Sequence, residues 1–244
     1  MTLLQLLTLI VSVLFYTKEI FYFSNESLSQ SKIELQKIHH DHQTSIYCDC
    51  KYSYKDDKNM IDKESCGYIP RIDSQTDILA NRIEWEHIIP LENFGRQFVC
   101  WREGYLECVN SKEEYYKGRR CCDKINQKFR IMQADMHNLQ PVIGELNRDR
   151  KNYRFNSEKA SPNKYGECKF DVNFKLRRAY IKEDIRGLVA RTYLYFHKRY
   201  EMKMSKKELK QYKEWNEQYP PSKWEIERNK RIAKIQGNTN GFIK

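Results

Sequence analysis

Eight cysteines constrain this chain more than any other feature: Cys48, Cys50, Cys66, Cys100, Cys108, Cys121, Cys122 and Cys168. An even count behind an apolar N-terminal run predicts disulfides made in an oxidising compartment. Zinc is the rival reading. Cys48-Asp-Cys50 and the adjacent Cys121 and Cys122 lack the two-residue gap that zinc knuckles prefer, so the spacing favours disulfides. The apolar run, Leu3 to Tyr16, has the length of a signal-peptide core and is short for a membrane span. No Lys or Arg precedes it and no Ala-x-Ala site follows; Lys18 and Glu19 interrupt it before Ile20 to Phe23 extend it. Cleavage somewhere from Ser24 to Ser29 is expected, with an uncleaved anchor as the runner-up. The expected organisation is residues 1–24 as signal peptide or short N-terminal anchor and residues 25–244 as one folded domain.

Hydrophobic patterning then sets the fold class. Apolar residues make up 40% of the chain, enough for a core, and only 9 Gly and 6 Pro argue against a long disordered region. Ser31 to Asp41 carries Ile33, Leu35 and Ile38 between polar residues, a helical pattern. Tyr47 to Cys50 and Gly67 to Ile69 read as short strands around a polar loop. Ile83, Trp85 and His87 alternate with Glu84, Glu86 and Ile88, which predicts a strand ended by Pro90. Arg102 to Lys117 reads as a charged surface loop. Pro141 suits the first turn of a helix running to Arg150. Three amphipathic helices follow: Glu183 to Tyr200, Ser205 to Trp215 with a Ser205/Glu208 capping box, and Trp224 to Ile235 before Gly237. The expectation is a single mixed α+β domain with helices gathered toward the C-terminus.

The formal net charge is +11, which favours anionic partners, nucleic acid and acidic membrane surface first. Phosphodiester hydrolysis needs a base to activate water and positive charge on the phosphate and leaving oxygen. His87 can be the base, because a neutral imidazole is basic near neutral pH. Glu86 is a hard oxygen donor for Mg²⁺, and Asn147 offers a second, neutral one. Neighbours on a regular strand point to opposite faces, so Glu86 and His87 share a site only at a strand end or kink. Other polar and aromatic residues read as structural: His137 as a hydrogen-bonded histidine, Asn138 as a cap near Pro141, Trp85 and Trp101 as core. His39, His40 and His42 cluster by sequence, but three imidazoles on a polar helix end are more often incidental than a metal site.

The motifs taken together resemble the bacterial endonuclease I family. They are Tyr47-Cys-Asp-Cys50, Ser65-Cys-Gly-Tyr68, Arg82-Ile-Glu-Trp-Glu-His-Ile-Ile-Pro90, Phe94-Gly95, Gln97 to Trp101, Asp135-Met-His-Asn-Leu-Gln-Pro141, Ile143-Gly-Glu-Leu-Asn147, Ala190-Arg-Thr-Tyr-Leu-Tyr195 and Arg231-Ile-Ala-Lys-Ile-Gln-Gly-Asn238. They occur in the family's order and cover nearly everything after the leader. The resemblance implies a ββα-metal (His-Me finger) nuclease core and a periplasmic or secreted, monomeric enzyme with no stable protein partner. Such an enzyme cleaves DNA and often RNA with little sequence preference, leaving 5′-phosphate ends. It maps Glu86 and Asn147 onto ligands of Mg²⁺, or another divalent cation such as Mn²⁺ or Ca²⁺, and His87 onto the general base. Arg119, in the step Gly118-Arg119 ahead of Cys122, matches the family's phosphate-contacting Arg, with Arg120 as the alternative.

Three departures stand out. The stretch between Cys100 and Arg119 is longer than the family pattern and carries Cys108, expected to pair with Cys121, or with Cys122 if partners shift. Ile226 stands where family members have a cysteine. Arg148 replaces the family's Gly after the ligand Asn and, with Arg150, is expected to add positive charge toward phosphate. A catalytically idle DNA-binding relative and a basic membrane-associated structural protein are the competing readings; intact Glu86, His87 and Asn147 favour the enzyme.

Overall fold

Ser27 opens the first described helix, α1 (Leu28–Ile38), by accepting the Gln30 amide on its hydroxyl. The computed structural model describes residues 25–55, 58–72, 76–156, 158 and 164–244. The expected leader, residues 1–24, lies outside them. Among the described residues no helix is long and apolar enough to cross a membrane. Leu35 and Ile38 of α1 are buried and pack with Trp85, Met136, Leu139 and Ile232.

The segment from Tyr47 to Cys50, expected as a strand, is a turn. Ser45 and Asp49 close it through backbone bonds (Ser45 N to Cys50 O 2.9 Å, Asp49 N to Ser45 O 3.1 Å), and Asp49 sits at φ 58°. Cys48 is bonded to Cys168 and Cys50 to Cys66. The strands lie just beyond, as the antiparallel pair β1 (Tyr52–Lys55) and β2 (Lys58–Ile61). Gly67 to Ile69 is likewise no strand; Tyr68 makes only an isolated bridge to Gly166.

Strand β3 (Ile83–His87) forms as the alternation predicts. Two short helices follow, α2 (Leu91–Gly95) and α3 (Val99–Arg102), and then the exposed loop 103–118, in which Val109 bridges Tyr115. Helices α4 (Arg119–Ile125) and α5 (Gln127–Ala134) lead to β4 (Leu139–Ile143), which pairs antiparallel with β3. Pro141 therefore lies inside a strand and not in a helical first turn. Its tolerance follows from ladder phase. Ile88 N reaches Asn138 O at 2.9 Å and Gly144 N reaches Arg82 O at 2.9 Å, so Trp85–Pro141 is a non-hydrogen-bonded pair and the missing N–H is not needed. The expected helix starts three residues later as α6 (Gly144–Arg150).

A three-stranded sheet of order β5 (Arg154–Asn156), β7 (Arg178–Ile181), β6 (Phe170–Asn173) was not legible from the pattern. The three C-terminal helices are present: α7 (Arg186–Tyr200), α8 (Lys206–Gln218) with the Ser205/Glu208 capping box formed, and α9 (Lys223–Gln236) closed by Gly237 at φ 80°. The architecture among the described residues is α+β, with helices dominating the C-terminal part. All eight cysteines are paired, the other two bridges being Cys100–Cys122 and Cys108–Cys121, so none is left as a zinc thiolate.

Candidate active site

Strand β3 carries three polar groups, Glu84 and Glu86 on one face and His87 on the other. Glu86 is 2% exposed, and its Oε1 accepts from Arg150 Nη1 at 2.8 Å. Arg150 is itself 1% exposed. It also donates to the carbonyls of His87 (2.8 Å) and Ile88 (2.5 Å), and its guanidinium lies 4.4 Å from the Phe155 ring centroid. Arg150, expected to face phosphate, is instead a buried clamp on the end of β3. Glu86 and His87 are the last two residues of β3, and the chain bends directly after them at Ile88 and Ile89.

His87 points elsewhere. Its Nε2 is 2.8 Å from the Gln133 carbonyl. A carbonyl only accepts, so Nε2 carries the proton and Nδ1 keeps its lone pair. Burial pushes the His87 pKa down to about 4, and the nearby cations Arg119, Lys32 and Arg150 push the same way against the Gln133 bond. The ring is thus a neutral base at physiological pH. The strand end is held by Asn138, whose amide accepts from Ile89 N (2.7 Å) and donates to Ile89 O (3.1 Å). Asn138 caps no helix through its side chain; it stitches the turn after β3.

Asn147 and Arg150 are three residues apart on α6 and share a face. Arg150 reaches Glu86, and Asn147 Nδ2 donates to Glu84 Oε2 at 2.9 Å. Glu84 also receives Arg82 Nη2 on Oε1 at 2.5 Å. Helix α6 can lie this close because it begins at Gly144, where a Cβ would stand 2.9 Å from Leu79 O. Arg148 turns away and pairs with Asp77 (2.8 Å), with Glu145 and Asp149 each at 3.6 Å. These carboxylates neutralise the charge that was expected to point at substrate.

Glu84, His87, Asn147 and Arg119 all line one open cleft of about 700 Å³, together with Lys32 and Asn59. Glu86, Arg148 and Arg150 do not line it. Arg119 is exposed at the start of α4, next to Gly118 at φ 83°, on a helix pinned by both Cys100–Cys122 and Cys108–Cys121. The alternative residue, Arg120, stacks instead over Tyr116 at 4.5 Å. Among the described residues no group of three or more His, Cys, Asp or Glu is placed to hold a metal. Glu84 meets Asn147 through the amide nitrogen; with that amide turned over, its oxygen beside the carboxylate, with water completing the shell, would be a donor set that suits a hard divalent cation. Glu84 is a carboxylate that sequence reading did not single out; it lies on the same face of β3 as Glu86, so alternation alone gives no reason to prefer one over the other.

His39, His42 and His137 are held in structural contacts. His137 is buried with Nε2 3.1 Å from Asn238 O. His39 is buried between Trp85 and Trp224 and accepts from Arg228 Nε at 3.0 Å, while His42 stacks on Trp224 at 4.1 Å. Trp85 is 6% exposed and Trp101 packs 5.8 Å from the Phe129 ring, both as core.

Residues 25–244 match the family model described as Endonuclease I. The chain is 41% identical over 239 residues to the periplasmic deoxyribonuclease of Aeromonas hydrophila, covering 98% of this chain and 92% of that protein. An extracellular deoxyribonuclease of the same organism is 40% identical over 220 residues, 90% of this chain and 88% of the relative. Endonuclease-1 of Buchnera aphidicola subsp. Acyrthosiphon pisum is 37% identical over 239 residues, 93% of this chain and 89% of the relative.

Proposed function

The chain belongs to the endonuclease I family, and we propose that it is a periplasmic or secreted, metal-dependent endonuclease that hydrolyses DNA with little sequence preference. The observation that carries this reading is the convergence of Glu84, His87, Asn147 and Arg119 on one cleft of a basic protein. The four disulfides and the names of the periplasmic and extracellular relatives support a site of action outside the cytoplasm. We read β3, β4 and α6 as a ββα-metal core.

In this reading Glu84 and Asn147 would hold the divalent cation, Mg²⁺ by preference; Glu86, the ligand expected from sequence, meets Arg150 through one oxygen. A cation bound there supplies positive charge for the leaving oxygen. His87 Nδ1, the acceptor left free by the Gln133 bond, takes a proton from the attacking water. The water oxygen bonds to phosphorus as the P–O3′ bond breaks. The 3′-oxygen takes a proton from solvent, and the phosphate remains on the 5′ end. Arg119 meets the growing charge on the non-bridging oxygens.

Plasmid nicking by the oxidised protein tests the reading. Mg²⁺ should support nicking, EDTA should stop it, and His87→Ala should lose turnover while still binding DNA. Wild-type protein that never nicks under oxidising conditions overturns it.

A further inference from the structure

The wall of the cleft opposite β3 is one face of α1. Leu28, Lys32 and Gln36 are spaced four apart and line the cleft together. The rotation of α1 is fixed on its other side, where Leu35 and Ile38 are buried and Ser31 Oγ donates to Ala134 O at 2.5 Å. The carbonyl just before it, Gln133 O, is the one that holds His87. Adjacent carbonyls at the end of α5 thus register α1 and the His87 ring against each other. Glu26, before α1, adds bonds to Gln127 (2.6 Å) and Arg130 (2.9 Å) of the same helix.

Lys32 is half-buried, and among the described residues it has no hydrogen bond or ion pair. Its neighbour on the helix, Lys37, is by contrast exposed and paired with Glu34 at 2.9 Å. Lys32 feels the charges of Glu84 and Arg119, and its own charge reaches His87. The cleft therefore gathers three cations, Lys32, Arg82 and Arg119, around one carboxylate, and Arg82 is the one bonded to it. Partial burial of an ammonium without a counter-ion is costly, and an incoming anion removes the cost.

We propose that Lys32 is a second phosphate contact of the cleft, taking a backbone phosphate of the bound strand beside the one held by Arg119. This rests on the nuclease reading above. Arg119 sits on a helix that arrives from the disulfide-pinned loop, and Lys32 on a helix locked to the segment that orients the base. Two cations on separate elements fix the direction of the strand across His87, which a single one cannot do. Lys32 is a strand-positioning group in this scheme, and no bond is made or broken on it.

The test compares Lys32→Met, Lys32→Arg and Lys37→Met. Binding to a short duplex is measured in a His87→Ala background over a range of salt, and steady-state cleavage in the wild-type background. Lys32→Met should flatten the slope of log K against log salt by about 0.9, the share of one phosphate, while Lys32→Arg restores it. KM should rise about tenfold, more than kcat falls, as for loss of one charge-assisted hydrogen bond. Lys37→Met, outside the cleft, should leave slope and turnover unchanged. Melting of each variant separates lost contact from lost fold, and Lys32→Gln serves if the Met variant melts early. An unchanged salt slope in a folded Lys32→Met or Lys32→Gln protein overturns the proposal while leaving the nuclease reading intact. A wild-type protein that neither binds nor cuts DNA fails the nuclease reading itself.

Discussion

Arg150 holds Glu86 Oε1 at 2.8 Å in the interior, outside the cleft, while Glu86 Oε2 is buried with no hydrogen-bond partner among the described residues. The neighbour two residues back, Glu84, bonds Asn147 in the cleft instead. The two glutamates should therefore fail differently. Glu84→Gln should weaken divalent-cation binding and lower turnover by about 10²-fold or more, with little change in melting. Glu86→Ala leaves a charged guanidinium buried without its partner and should cost about 3–5 kcal/mol of stability. Calorimetric cation titration and urea denaturation separate them. A Glu86→Gln protein of normal stability that no longer binds cation would return the ligand role to Glu86.

Acid should destabilise the protein earlier than its carboxylates alone require. Burial lowers the pKa values of His39, His87 and His137, with His87 reaching about 4 from an ordinary 6.5. Below 6.5 the unfolded chain binds protons that the folded chain still refuses, so unfolding gains. The contribution of these groups is complete above about pH 6.5. It is lost as pH falls toward each folded value, at up to about 1.4 kcal/mol per pH unit for each histidine inside its window. Urea denaturation at pH 7 and pH 5.5 measures the loss. His137→Gln should flatten the dependence, and equal stability at the two pH values would contradict the buried neutral state.

How much of this was readable follows from which physical rule governs each residue. Alternation made β3 visible, and the Ser205/Glu208 cap placed α8, because both signals are local. Pro141 misled because a proline in a strand is allowed or forbidden by ladder phase, which depends on Asn138 and Gly144 pairing with β3. The Glu84–Asn147 contact was not readable because it is set by where α6 starts, and Gly144 there packs against Leu79. Arg148 and Arg150 are expected from sequence to face phosphate; only tertiary packing shows that one faces Asp77 and the other Glu86. The strands β5 to β7 are three or four residues each, too short for any periodicity to declare itself.

The bridge Cys108–Cys121 spans a sequence separation of 13 and ends inside α4, as expected from the extra cysteine in the long segment. Replacing both with Ser should cost about 3 kcal/mol in the chain-entropy model. The fold should survive, because Cys100–Cys122 still anchors α4. Turnover should drop further than binding, since Arg119 is the first residue of that helix. Melting and nicking on the double variant check both, and a variant as stable and active as wild type would leave the bridge without an energetic role.

Arg119 and Arg120 are adjacent in sequence and diverge in space, one lining the cleft and the other stacked on Tyr116 at 4.5 Å. Only the first lines the cleft with His87. Arg119→Ala should lower kcat by about 10²–10³, the usual loss for one positioned donor to developing charge. Arg119→Lys should recover part of this, because an ammonium keeps the charge but not the planar fork. Arg120→Ala should alter turnover by less than about threefold and act on stability, through the lost ring contact, by about 0.5–1 kcal/mol. Steady-state nicking with matched melting curves decides the assignment. Equal kinetic losses for the two arginines would mean that the loop rearranges on the substrate and that its resting geometry does not define the site.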